Sequence, residues 1–144
     1  MGKKLKILLR DSYLGMIRNS EGTKMFRDFF GSVGKNKRNL TKKGRTSCAL
    51  FVSSIIHHFK LIKEPHLTVD GTLKDMRFSG WLKAKNPLPG DVILWDKKKG
   101  HYHLGFYLGR DKAISNDGEK GLPLSHNLTF GGKRKIKAFF RKRI

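Results

Sequence analysis

The segment from Ser47 to Phe59 constrains the fold more than any other part of this chain. Cys48, Phe51, Val52, Ile55, Ile56 and Phe59 fall at offsets 0, 3, 4, 7, 8 and 11, which is one face of an α-helix. Thr46 or Ser47 can cap its start by accepting a backbone N–H. A stripe this apolar must be buried against a second apolar layer. The chain supplies one after Asn86-Pro87-Leu88-Pro89-Gly90, where the hydrophobic period changes from helix to strand. Asp91 to Trp95 is a short apolar run, and Lys97 to Gly100 reads as a turn. His103 to Leu108 alternates, with Leu104, Phe106 and Leu108 on one face and His103, Gly105 and Tyr107 on the other. Gly109 to Lys112 turns the chain into Ala113–Asn116, and a last strand over Lys135–Arg141 follows the Gly131-Gly132 turn. Helices followed by an antiparallel meander predict an α+β domain with no internal repeat.

At 144 residues the chain fits one domain, residues 1–144. It divides into a basic helical segment, 1–45, and the patterned region 46–144. In the first part Leu5, Leu8, Leu9, Ser12 and Tyr13 recur at helical spacing. Met25, Phe26, Phe29 and Phe30 do so again after the Glu21-Gly22 break, until Gly31 and Gly34 end the pattern. Lys35 to Arg45 holds six basic residues and no acid, which reads as a solvated loop or as a contact for a polyanion. Pro65, Gly71 and Gly80 punctuate the middle.

The balance of 32 Lys and Arg against 11 Asp and Glu, a net +21, excludes an ordinary neutral enzyme and calls for anionic surroundings. Nucleic acid, an acidic cell wall or an anionic membrane surface would each satisfy it. Hydrophobic residues at 38% still provide a core, so a disordered chain is excluded. The single cysteine, Cys48, leaves no disulfide partner and no zinc site built on cysteine pairs. It is either a buried apolar filler or a nucleophile. At the first turn of a helix a thiol meets free N–H groups and the positive end of the helix dipole, both of which favour the thiolate. No stretch reaches the roughly 18 apolar residues of a membrane span. The N-terminus begins like a signal peptide but has only Ile7–Leu9 as an uninterrupted apolar run. The expectation is therefore a cytoplasmic protein as written, with export to the cell wall by another route left open.

Three segments carry a resemblance. Thr46-Ser47-Cys48-Ala49-Leu50-Phe51-Val52 resembles the Cys-small-x-aromatic-Val helix start of the NlpC and CHAP superfamily of papain-like cell-wall hydrolases. Pro87-Leu88-Pro89-Gly90-Asp91-Val92-Ile93-Leu94-Trp95 is similar to its Pro-x-x-Gly-Asp strand, and His103-Leu104-Gly105-Phe106-Tyr107-Leu108-Gly109 to the strand that carries its base. The motifs occur in family order. The resemblance implies a papain-like fold, with helices packed on a small antiparallel sheet, and an amide-cleaving activity on peptidoglycan stem peptides. It implies Cys48 as nucleophile and His103 as general base. A third polar residue on the next strand would orient the imidazole. Ser115 and Asn116 stand there, Asn116 being the better acceptor, with His126 as a rival. The oxyanion donor would be the Cys48 backbone N–H.

Other readings of the same residues stand beside this one. His101 shares the strand face of His103, so a register error would exchange them. His101, His103 and Cys48 offer three ligands for a zinc, but no HExxH-like spacing supports one, and no metal or cofactor is expected. Trp95 and Tyr107 can line a substrate pocket or belong to the core. As a whole, the chain reads as a cysteine hydrolase or as a basic nucleic-acid- or polyanion-binding protein on an inactive hydrolase-like scaffold. A third reading puts a basic amphipathic helix, Lys3 to Arg18, on an anionic membrane; membrane association is not expected, because the same residues suit a core-facing helix. A monomer is expected.

Overall fold

The structure is a computed structural model and describes residues 2–144. Its elements run α1 (Leu9–Asn19), β1 (Phe30–Val33), β2 (Asn36–Asn39), α2 (Cys48–His58), α3 (Val69–Phe78), β3 (Leu82–Ala84), β4 (Val92–Lys98), β5 (His101–Gly109), β6 (Lys112–Asp117), β7 (Leu122–Asn127) and β8 (Ile136–Arg141). β1 and β2 form an antiparallel hairpin, and the other six strands form one antiparallel sheet in the order β3-β8-β4-β5-β6-β7. The architecture is the α+β arrangement expected, with helices before the meander.

α2 lies across β5 and β6 and buries the stripe read from its spacing. Phe51, Val52, Ile55 and Ile56 pack with Val92, Leu94, Leu104, Phe106 and Ile114 in one cluster. The Phe51 and Phe106 rings meet edge to face at 5.5 Å, and Tyr13 of α1 meets Phe106 at 6.1 Å and Phe59 at 5.7 Å. The reverse face of the sheet is covered too. Ile93, Trp95, Tyr107 and Ala113 pack under Leu128, Phe130, Ile136 and Phe139, so β4 is buried on both sides from Val92 to Trp95.

Several expectations change. The first helix starts at Leu9, and Leu5 and Leu8 are exposed ahead of it, so no helix runs from Lys3. Met25 to Phe30 is not helical. Only Phe26 is buried there, and Phe30 opens the hairpin instead. Lys35–Arg45 is not a free loop: its first part is β2, and its second is a turn tied together around Thr41. The Asn39 Oδ1 accepts from Phe29 N, Thr41 N and Thr41 Oγ1, while the Thr41 carbonyl accepts from Gly44 N and Thr46 N. α3, β3 and β7 are additional to the elements read from the sequence.

The Pro-Leu-Pro-Gly-Asp segment owes its residue types to packing. Gly90 has φ +94°, and a Cβ there would lie 2.9 Å from both Tyr13 and Leu14. Its carbonyl accepts the Tyr13 hydroxyl at 2.7 Å. Asp91, almost wholly buried, accepts from Leu88 N at 2.8 Å and holds the Arg141 guanidinium through both carboxylate oxygens at 2.8 and 2.7 Å. The start of β4 is thereby fastened to the end of β8.

Candidate active site

Cys48 is the first residue of α2 and is partly buried. Ser47 stands at the N-cap position, yet its Oγ makes no cap and is buried without a partner among the described residues. The side-chain cap expected from Thr46 or Ser47 does not form; the helix start is held by the Ser47 carbonyl, which accepts from Phe51 N at 2.9 Å.

His103 is near the start of β5, directly opposite Trp95 on β4. The two rings are 5.2 Å apart and tilted by 35°, and Phe130 is 6.0 Å from His103 on its other approach. Trp95 is itself fixed, fully buried and donating its indole N–H to Leu128 O at 2.8 Å. Gly105 makes this possible. A Cβ at Gly105 would lie 2.8 Å from the Trp95 ring, 2.8 Å from Ser115 Cβ and 2.5 Å from the Ile114 carbonyl. The glycine two residues after His103 thus makes room for the tryptophan that backs the imidazole.

Cys48, His103 and Asn116 line one cavity of about 1450 Å³, together with Thr68 and Val69 from the α3 start, Asp117, Phe130 and Arg134. His101 is at the rim of the same cavity, and its carbonyl accepts from Arg134 Nη2 at 2.6 Å. The Arg134 Nε is buried without a partner among the described residues. This arginine escaped the sequence reading because it sits in a uniformly basic C-terminal run, and its only local signal is the Gly131-Gly132 turn that brings the chain back.

The third position is divided between two residues. Ser115 lies opposite Gly105, on the sheet face of His103, but its Oγ is engaged with His126 Nε2 at 2.7 Å. Asn116 follows Ile114 onto the helix-facing side, where its Nδ2 donates to the Gly44 carbonyl at 2.7 Å and its Oδ1 is buried without a partner. Among the described residues none hydrogen-bonds the His103 ring, so its orientation is set by the Trp95 and Phe130 rings. Asn116 instead ties the loop before Cys48 to β6. His126 stacks on Phe130 with centroids 3.8 Å apart and reaches Ser115 rather than His103.

Trp95 and Tyr107 do not line the cavity. Trp95 is the wall behind His103. Tyr107 lies further along β5, its ring against Phe139 at 6.3 Å and its hydroxyl accepting from Asp111 N at 3.4 Å. Both side chains belong to the second core layer, which forms because residues 128–139 cover that face of the sheet.

The electrostatics of the site follow from burial. It pushes the Cys48 thiol above its ordinary value of 9.0, and is opposed in part by the backbone N–H groups of Leu104, Ala49 and Cys48 and by the Arg134 guanidinium. Burial likewise pulls His103 from 6.5 down to about 3, helped by the charge of Arg134. Burial thus disfavours both the thiolate and the imidazolium here relative to exposed groups. Desolvation opposes the thiolate that the helix start and the Arg134 guanidinium favour. A neutral imidazole is the form that can accept a proton.

Residues 31–135 match the model of the NlpC/P60 family. No curated protein matches the chain.

Proposed function

The chain belongs to the NlpC/P60 family, whose members are typically cysteine peptidases or amidases acting on peptidoglycan, and from that premise we propose that it cleaves an amide bond in peptidoglycan stem peptides with Cys48 as nucleophile. The observation that carries this reading is that Cys48, at the N-terminus of α2, and His103, on β5, open into the same cavity.

The chemistry divides into two half-reactions. With the scissile carbonyl seated against the α2 start, His103 takes the thiol proton as the sulfur attacks the carbonyl carbon. The backbone N–H of Cys48 donates to the developing oxyanion. The C–N bond breaks as His103 returns the proton to the leaving amine, which leaves a thioester on Cys48. A water molecule, deprotonated by His103, attacks the thioester; the carboxylic acid departs and the sulfur is reprotonated. Burial disfavours charge on both partners at rest, and the Arg134 guanidinium in the same cavity favours negative charge on the sulfur. Trp95 and Phe130 keep the imidazole pointed at the cavity, the positioning task for which Asn116 was the candidate from sequence.

The test is hydrolysis of a purified stem peptide, with intact-mass detection of the acyl-enzyme. Cys48→Ala is expected to abolish both turnover and the mass adduct, and His103→Ala to slow turnover by about 10²–10⁴-fold. Turnover retained in Cys48→Ala would overturn the proposal.

A further inference from the structure

Beside the active-site cavity lies a second one, of about 470 Å³, lined by Arg27, Asn39, Lys42, Lys43, Arg45, Glu119 and Lys120. Five of the seven carry a positive charge and one a negative charge. Arg45 and Glu119 line both cavities, so the two are neighbours along one surface. We propose that this pocket binds a phosphate group carried by the polymer that the active site cleaves.

Three observations support a built site over a chance cluster of surface lysines. Arg27 Nε is buried and has no acceptor among the described residues, an unmet donor of the kind that a phosphate oxygen satisfies in fork geometry. Lys42 and Lys43 both have left-handed backbones, with φ +51° and +59°. For residues with a Cβ this conformation costs about 1–2 kcal/mol each and persists only where the surroundings impose it. The surroundings do so here. Asn39 and Thr41 tie the turn together, and a Cβ on Gly44 would run into the backbone of Gly121.

The charge argues for phosphate over carboxylate. One carboxylate would leave most of the five cations repelling one another. A phosphate brings up to two negative charges and three strong acceptor oxygens to the same volume. The Gly44 carbonyl accepts from Asn116, which lines the catalytic cavity, so a ligand fixed by Lys42 and Lys43 is held in register with Cys48. That last link rests on the hydrolase reading; the phosphate site itself does not.

Calorimetric titration with inorganic phosphate tests the site, with acetate at matched ionic strength as the carboxylate probe. Asn tolerates the left-handed backbone, so Lys42→Asn/Lys43→Asn removes two charges with the turn kept. Lys3→Asn/Lys4→Asn removes two exposed charges elsewhere. Phosphate is expected to bind saturably and more tightly than acetate, with a loss of about tenfold or more in the first variant and no change in the second. Equal binding of the two anions, or equal losses in the two variants, would overturn the site. A soluble polysaccharide bearing phosphomonoester groups then tests where the phosphate comes from. Binding lost in Lys42→Asn/Lys43→Asn supports a polymer-borne group, whereas binding of inorganic phosphate with the polymer excluded overturns it. The titrations are repeated in Cys48→Ala, where phosphate binding is expected to be unchanged. Failure of the hydrolase reading is thus seen in turnover alone.

Discussion

Asp75 allows the sharpest quantitative test of the scaffold that walls the cavity shared by Cys48 and His103. It sits on α3 with its side chain buried, and burial alone would raise its pKa. Hydrogen bonds reverse that: His66 Nε2 meets it at 2.7 Å, Lys63 N and Glu64 N donate to it, and Ser79 Oγ donates from the last turn. Together they hold the carboxyl at about 2, below its ordinary 3.8. At ~1.4 kcal/mol per pH unit, that depression contributes about 2 kcal/mol to folding. The sign follows from linkage. The pKa is lower in the folded state, so the contribution is fully present above about pH 4 and is lost as pH falls through 2. Asp75→Asn places an amide among donors and is expected to cost about 2–4 kcal/mol at pH 7. Urea unfolding of parent and variant, compared at pH 7, 4 and 2, isolates this carboxyl from the others, which titrate in both proteins. The difference between the two is expected to narrow by about 2 kcal/mol between pH 4 and pH 2. A difference that stays constant over that window would refute the reasoning.

The site and the sheet give three further expectations. Iodoacetamide alkylation of Cys48 is expected to climb with pH through 9 without a plateau below it, since burial raises the thiol, and to shift to higher pH in Arg134→Gln. A plateau below pH 8 would contradict a thiol raised by burial. Gly105→Ala, facing an immovable carbonyl at 2.5 Å and the Trp95 ring, is expected to cost about 1–3 kcal/mol in urea unfolding and to alter tryptophan emission; stability equal to the parent would refute the account of how the ring is seated. Arg141→Met strands the buried Asp91 carboxylate and is expected to cost about 3 kcal/mol, part of which Asp91→Asn restores in the double variant. A cost unaffected by the second substitution would mean that the pair is not coupled.

The parts of the fold legible in the sequence are those where one periodicity meets one environment. The α2 stripe and the strand alternation of β5 follow directly from burial of one face. The three motif segments therefore fell on α2, β4 and β5 as expected, and residues 31–135 of the family match span them. Met25 to Phe30 misled because its spacing suits a helix, while Asn39 ties Phe29 and Thr41 together at the open end of the β1–β2 hairpin, a contact that spacing does not encode. β7 carries Pro123 and mostly polar residues and owes its existence to pairing with β6. α3 buries Thr72, Asp75 and Met76, too polar a set to show as a stripe. The roles of Trp95 and Tyr107 were hidden by a long-range fact, the covering of the second sheet face by residues 128–139. For Asn116 the strand was right. The side of the sheet it faces depends on register with β5, which a single strand does not reveal.

The sheet order also sets which parts of the molecule can open together. β4 to β7 are joined as successive hairpins, whereas β3 touches the sheet only through β8, and β8 reaches β4 across nearly the whole second half of the domain. If β8 detaches, β3 loses its only strand neighbour among the described residues, Asp91 loses Arg141, and the segment carrying Phe130 and Arg134 loses its anchor on the sheet. The floor of the site, with α2, β5 and β6, keeps all of its own pairings through that event. Loss of β8 would thus unroof the cysteine and histidine without dismantling the elements that bear them. The cover over Cys48 and His103 and the attachment of β3 to the sheet are therefore carried by one element.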